Sequence, residues 1–313
     1  KRWMQQTALS FVRRRNGRMV YSNTSVHARS SSTQSSGSSE DGARVLVERD
    51  QTGVVKVILN RPSKLNALDM KMFTEICEVA TKLKEDKSVR VIILSGAGRA
   101  FCSGLDVVSV ASNPFNFEKL LAKPAGTAIT NVAQDVGYLW REIPVPVIAV
   151  LHGVCLGGGL QIALGADIRL STADCKLSVM EAKWGLIPDM SASITLRELV
   201  RADVAKELTF TGRVIRGEEA ARLGLVTRVE ADPAAAAAAL ALEMVARSPD
   251  AIASAKQLYQ RSWVADERTA LEEETKLQRA LLPSWNQAAA SAGSLGVKLP
   301  YAARRDGYDP PRG

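Results

Sequence analysis

From residue 43 onward, apolar and polar positions fall into two rhythms. Residues 44–49 and 54–59 alternate or run apolar, with Asp50, Gln51, Thr52 and Gly53 between them, which predicts a β-hairpin closed by a glycine-containing turn. Asn60, Arg61 and Pro62 end the second strand. Asp69 stands where a helix cap belongs, and Met72, Phe73, Ile76, Val79 and Leu83 follow at helical spacing. Residues 89–94 are a continuous apolar run, a buried strand broken by Ser95, Gly96, Ala97 and Gly98. Residues 113–130 carry no rhythm and predict a loop or lid, with a helix after them through Leu139 and Trp140. Ile143 to Pro146 lead into a strand over 147–151. Gly157, Gly158 and Gly159 then open onto a helix over 160–165, and residues 167–170 and 176–179 read as short strands.

From Ser191 onward the pattern is helical. Asp232 and Pro233 supply a cap and a first-turn proline ahead of an alanine run, while Ser248-Pro249 and residues 267–280 begin two more helices. Strands alternating with helices predict an α/β fold with a mainly parallel core. The organisation is a core over 43–230, a helical region over 231–300, and a tail over 301–313 rich in Pro, Gly and charge.

Composition narrows the class. The 313 residues are 46% hydrophobic and 24% charged, as in ordinary soluble enzymes, and this excludes wholesale disorder, a collagen-like chain and a disulfide scaffold. No apolar run is long enough to cross a bilayer. The net charge of +8 is unevenly placed. Residues 1–39 hold seven basic residues and no acid, which leaves 34 basic against 33 acidic residues elsewhere. The folded body is therefore near neutral and makes no nucleic-acid partner expected. Residues 1–42 are Arg-rich and Ser-rich, the composition of a mitochondrial transit peptide, with a basic tail as the plainer alternative. Were this segment ordered, docking on a large assembly would be the reason. Cys77, Cys102, Cys155 and Cys175 form no C-x-x-C pair and the histidines are only His27 and His152, so no metal site is expected and the cysteines read as reduced thiols.

Two glycine turns could carry chemistry. Phe101-Cys-Ser-Gly-Leu-Asp106 follows a buried strand, and Cys155-Leu-Gly-Gly-Gly-Leu-Gln161 joins a strand to a helix. Each could aim backbone N–H groups into one pocket, and two such donors suit the oxyanion of a thioester enolate. Close strand–helix packing is the alternative reading of Gly157–Gly159. His152 reads as a packed, hydrogen-bonded imidazole, and Asp106 and Asp167 as turn or capping groups.

The order of several segments is more specific. Leu59-Asn-Arg-Pro62, Lys64-Leu-Asn-Ala-Leu68, Gly98-Arg-Ala-Phe-Cys-Ser-Gly-Leu-Asp106, Pro144-Val-Pro-Val-Ile-Ala149, Leu156-Gly-Gly-Gly159, Gly165-Ala-Asp167 and Gly185-Leu-Ile-Pro188 together resemble the crotonase, or enoyl-CoA hydratase/isomerase, superfamily, over roughly residues 43–300. The resemblance implies a crotonase-like spiral of ββα repeats with a helical C-terminal trimerisation region. It implies a coenzyme A thioester as substrate, no covalently bound cofactor, and a homo- or hetero-trimer. The N–H groups of Leu105 and Gly158 would form the oxyanion hole. Lys64, Leu65 and Ala67 would lie against the adenine end of coenzyme A. Lys64 and Lys298 would be phosphate contacts, or else solvated surface lysines.

A family hydratase uses two glutamates, one after the glycine cluster and one 20 positions on. The matching residues here are Gln161 and Glu181. An amide has no proton to exchange near neutral pH, so the two-carboxylate hydration machinery is broken at Gln161. Glu181 alone could move a proton between two carbons, as an isomerase requires. Asp189, eight positions later, resembles an aspartate of dienoyl-CoA isomerases, although those enzymes also carry an acid at the position of Gln161. Asp189 could equally cap the next helix. The expected function is a mitochondrial matrix enoyl-CoA isomerase or weak hydratase. A catalytically degenerate structural subunit of a large mitochondrial complex, such as a respiratory one, and an acyl-CoA-binding sensor are the alternatives.

Overall fold

In a computed structural model of the protein, residues 42–305 are described, apart from Pro124, Ala125 and Thr127. The basic extension, save Gly42, and the end of the tail lie outside the described residues.

β1 (Val45–Arg49) and β2 (Val54–Leu59) form the expected antiparallel hairpin. Asp50 closes its turn by accepting from the Thr52 and Val54 N–H groups at 2.8 and 3.1 Å. β3 (Val91–Gly96), β4 (Val147–Leu151), β6 (Ile168–Ser171) and β9 (Arg228–Val229) continue the sheet in parallel, giving the order β1-β2-β3-β4-β6-β9. β5 (Val154–Leu156), β7 (Lys176–Ser178) and β8 (Ile215–Arg216) make a second, small sheet. Successive passes of the chain give one strand to each sheet: β4 then β5, and β6 then β7. An isolated bridge between Cys102 and Cys155 adds the pass that follows β3. This is a spiral of ββα turns, and it brings the chain ends of β3, β5 and β7 together on one side.

The helices are α1 (Met70–Glu85), α2 (Val107–Ala111), α3 (Phe115–Leu121), α4 (Val132–Glu142), α5 (Gly158–Leu164), α6 (Ala192–Leu199), α7 (Ala202–Thr211), α8 (Gly217–Leu223), α9 (Pro233–Val245), α10 (Pro249–Ser262), α11 (Glu267–Leu281) and α12 (Trp285–Ser294). Asp69 caps α1 through the Met72 N–H at 2.8 Å. The apolar stripe of α1, with Met72, Phe73 and Ile76, joins Val55, Val57, Leu94 and the buried Trp140 of α4 in the main core. The other face of the large sheet packs on α9: Ala237 and Ala241 meet Val91, Ile93, Ile148 and Val150. Alanine side chains allow that helix to lie close to the strands, and Asp232 caps it as its sequence predicts. None of the helices among the described residues is long and apolar enough to cross a membrane.

Several elements differ from the sequence pattern. Residues 113–130 contain a helix, α3, because Leu120 finds a place in the core and Asn113 caps the turn through the Phe115 N–H at 3.1 Å. The strand expected over 89–94 runs Val91–Gly96, since Ser95 and Gly96 still pair with Ile58 and Leu59. The region after Ser191 is not helical throughout. β8 and β9 interrupt it, two residues each, held by register with Leu177 and Leu170. The beginning of the tail is anchored to the body. Asp250 of α10, fully buried, accepts from the Arg305 backbone N–H and Nε, both at 2.9 Å, and a buried carboxylate requires such partners.

Helices α4 and α5 meet at two glycines. A Cβ placed on Gly165 would stand 1.9 Å from the Gly137 carbonyl oxygen. Gly165→Ala is expected to lower stability by about 1–3 kcal/mol through this overpacking, read as a lower urea midpoint at unchanged slope.

Candidate active site

The site is built from four turns. The first is the 3-10 turn Pro62–Lys64 and the residues after it. Leu65 and Asn66 both adopt left-handed backbone, with φ of 51° and 56°. Asn66 is fully buried and its side chain satisfies four groups: its Oδ1 accepts from the Arg61 N–H at 2.8 Å, and its Nδ2 donates to the Ala97, Ala100 and Phe101 carbonyls at 2.9, 2.8 and 3.1 Å. This ties the first turn to the chain leaving β3.

The second turn holds Leu105. The Leu68 N–H donates to the Gly104 carbonyl at 2.8 Å, and the Asp106 N–H donates to the Leu68 carbonyl at 3.0 Å. In a parallel bridge of this kind the central residue's own N–H points to the opposite side. The Leu105 N–H is thereby aimed away from Leu68. Asp106 caps α2 through the Ser109 N–H at 3.0 Å and receives Arg61 Nη1 at 2.7 Å. Arg61 also reaches the Ala67 carbonyl at 3.2 Å and lies 3.5 Å from Asp69, which in turn pairs with Arg44 at 2.9 Å. A chain of alternating charges thus runs behind the Leu105 peptide. Asp106 is a capping group, as its sequence position suggests.

The third turn is Gly157, with φ of 51° and ψ of −122°, a conformation open only to glycine. Its N–H donates to the Ser178 carbonyl at 2.9 Å, so Gly158 starts α5 with its own N–H outside the helical ladder. The two glycine turns touch. A Cβ on Gly104 would lie 2.8 Å from the Leu156 carbonyl oxygen and 3.5 Å from the Gly158 nitrogen. The turns that carry Leu105 and Gly158, two residues named together by the family resemblance, are neighbours in space.

The fourth turn carries the acids. Glu181 begins a 3-10 turn, Glu181–Trp184, and is 8% exposed. Its Oε1 accepts from Gln161 Nε2 at 2.6 Å, whereas its Oε2 is buried without a protein partner. A Cβ on Gly157 would lie 3.4 Å from Glu181 Oε1, which places the carboxylate directly before the glycine turn. Burial raises the Glu181 pKa above the usual carboxylate range. Its own backbone N–H and Gln161 oppose the rise, and the negative charge of Asp189 adds to it.

Gln161 is almost wholly buried, and its far end is also engaged. Its Oε1 accepts from the N–H groups of Met190 and Ala192 at 2.8 and 3.3 Å. It therefore caps α6. The capping role that sequence allowed for Asp189 belongs to Gln161, and Ser191, at the cap position, makes no cap bond and sits at φ 76°. Asp189 is left at the rim, exposed to solvent, with enough protein around its carboxyl to raise its pKa by burial.

The remaining candidates scatter. Leu65 and Ala67 flank Asn66 beside the Leu105 turn. Lys64 is exposed there, and Lys298 is exposed in the irregular stretch beyond α12. His152 is structural, with Nε2 3.0 Å from the Gly98 carbonyl oxygen. Asp167 accepts from the Val147 N–H at 2.7 Å and pairs with the buried Lys256 at 2.8 Å. Sequence reasoning assigned no role to Arg61 or Asn66. A signal for Asn66 was present, since asparagine in a Pro-containing turn tolerates left-handed backbone.

Arg61→Met is expected to lower stability by about 3–5 kcal/mol in a denaturant titration, because it removes the buried guanidinium that faces the carboxylates of both Asp69 and Asp106.

The profile of the family described as "Enoyl-CoA hydratase/isomerase" matches residues 49–291. A rat (Rattus norvegicus) protein named "Delta(3,5)-Delta(2,4)-dienoyl-CoA isomerase, mitochondrial" is 32% identical over 276 residues, covering 81% of this chain and 82% of the relative. A human protein, "Enoyl-CoA hydratase domain-containing protein 2, mitochondrial", is 34% identical over 240 residues, covering 74% and 78%. Among solved structures, an enoyl-CoA hydratase from Mycobacterium smegmatis superposes with a TM-score of 0.74 at 29% identity, covering 82% of this chain and 98% of that one. These similarities lend no support to the structural-subunit reading.

Proposed function

The chain belongs to the enoyl-CoA hydratase/isomerase family, and on that premise we propose that it is a mitochondrial isomerase that shifts conjugated double bonds along a dienoyl-CoA thioester. The observation that carries this reading is the buried Glu181 carboxylate, one oxygen unpartnered, standing directly before the Gly157 turn where the Leu105 and Gly158 turns touch, with Asp189 near enough for its charge to raise the Glu181 pKa.

In this reading the thioester carbonyl sits between the N–H groups of Leu105 and Gly158, which stabilise negative charge on its oxygen as an enolate forms. Glu181, beside Gly157, faces the carbon next to the carbonyl. Its unpartnered Oε2 removes a proton from C2 of a 3,5-dienoyl chain. The electron pair delocalises through the two double bonds to C6. Asp189, exposed at the rim and near enough for its charge to act on Glu181, delivers a proton to C6, and the product is the 2,4-dienoyl thioester. The raised pKa keeps Asp189 protonated over more of the working range than an ordinary carboxyl. Its exposure lets solvent replace the proton after each turnover.

Gln161 separates this chemistry from hydration. Both ends of its amide are already engaged, one by Glu181 and one by the start of α6, and neither can act as a base. Lys64, Leu65 and Ala67, on the turn next to Leu105, would hold the adenine end of coenzyme A, with Lys64 and Lys298 as phosphate contacts. The basic, Ser-rich first 39 residues and the mitochondrial relatives favour the mitochondrial matrix, and the exposed Tyr259 of α10 and Trp263 just after it suit burial in a trimer.

Two measurements test the proposal. Glu181→Gln and Asp189→Asn should each lower turnover of a 3,5-dienoyl-CoA by about 10²–10⁴-fold, followed by the absorbance of the conjugated product. A folded wild-type protein inactive on every chain length would overturn the reading. Gln161→Glu should move the acidic limb of kcat/KM to higher pH. The new carboxyl faces Glu181, like charges cannot both ionise there, and the base then loses its proton only at a higher pH.

A further inference from the structure

A cavity of about 1030 Å³ opens beside Asp189, between α4, α6, α10 and α11. It shares Asp189 with the proposed site, so in the isomerase reading the chain beyond C6 enters it. Its lining is unusual for an alkyl tail. Near Asp189 it is apolar, with Ile187, Pro188 and Ile194. Further along α6 it becomes charged. Glu198 there holds Arg141 in a two-bond fork at 2.9 and 3.0 Å, and on the opposite wall Glu273 of α11 pairs with Arg261 at 3.0 Å and Lys276 at 3.5 Å.

Glu142, also on the wall, pairs with Lys84 at 2.8 Å, and Asp189 stands at the apolar end, so one cation of the charged half has no acidic partner. Arg197 lines the same cavity and is exposed, and no acid pairs with it among the described residues. It lies on the side of α6 that also presents Ser193, Ile194 and Glu198, while Thr195 and Leu196 turn into the core. From Ser191 to Arg197 the helix rises about 9 Å at about 1.5 Å per residue. Arg197 therefore stands one short tail's length beyond Asp189.

We infer that this cavity selects dienoyl-CoA substrates whose chain ends in a carboxylate, bound by Arg197, over chains that end in a methyl group. The inference rests on the isomerase reading above. A methyl-ended tail entering the charged half would strip water from ion pairs and return nothing to them. A terminal carboxylate keeps its hydrogen bonds by passing from water to a guanidinium, whose planar fork matches it in two bonds. The apolar stretch near Asp189 accepts the methylenes between.

The test uses two 3,5-dienoyl-CoA esters of equal chain length, one ending in methyl and one in carboxylate, with the wild-type chain and Arg197→Met. The expected result is a kcat/KM about tenfold higher for the carboxylate-ended ester, weakened by added salt, and collapse of that ratio in the variant. Arg197→Lys should keep part of the preference. A wild-type preference for the methyl-ended ester, or a ratio unchanged by Arg197→Met, overturns the inference while leaving the isomerase reading intact. If neither ester is turned over, the isomerase reading fails. Calorimetric binding of the same two esters then decides the tail selectivity independently, with equal affinity counting against it.

Discussion

The two-ended engagement of the Gln161 carboxamide is the interaction on which the site depends. One end donates to Glu181, and the other accepts from the Met190 N–H just before α6 and from the Ala192 N–H, the first of the helix. Both acid-bearing segments are thereby fixed to the helix that starts at the glycine turn. Because an amide has a donor end and an acceptor end, the arrangement is satisfied with Glu181 ionised. A carboxylate in the same place would need a shared proton to make the bond to Glu181. In the proposed reading, an amide at this position leaves Glu181 as a single buried base held by a neutral partner, with Asp189 at the rim making no cap to α6.

The other half of the site depends on backbone packing. Gly104 and Gly157 allow two chain reversals to touch, and the bridge from Leu68 turns the Leu105 N–H outward. Behind it, Arg44, Asp69, Arg61 and Asp106 alternate in charge, and Asn66 stitches the same loop to the end of β3. Such buried ionic groups are poor sources of net stability. Their effect here is positional, holding a peptide N–H whose direction no side chain could otherwise set. Donors fixed before substrate arrives need no reorganisation when charge develops.

Much of this was legible in the sequence where the cause is local. The β1–β2 hairpin, the Asp69 and Asp232 caps and the buried stripe of α1 depend on neighbours within a turn or two, and each was found from pattern alone. Elements created by distant partners were not legible. β8 and β9 are two-residue strands that exist only through their register with β7 and β6. α3 is helical because the core has room for Leu120, and residues 301–305 are anchored because Asp250 is buried. The roles of Gln161 and Asp189 were blurred for the same reason. The groups that settle which of them caps α6 lie 29 and 31 positions from Gln161.

The central claim is a division of labour, with Glu181 at C2 and Asp189 at C6. Hydrogen exchange in heavy water reads it directly. With Asp189→Asn and a 3,5-dienoyl-CoA, the account predicts deuterium entering C2 at close to the wild-type rate while the 2,4-product forms about 10²–10⁴-fold more slowly, and predicts C2 exchange lowered to the same extent with Glu181→Gln. Loss of C2 exchange in Asp189→Asn together with its persistence in Glu181→Gln would contradict the account.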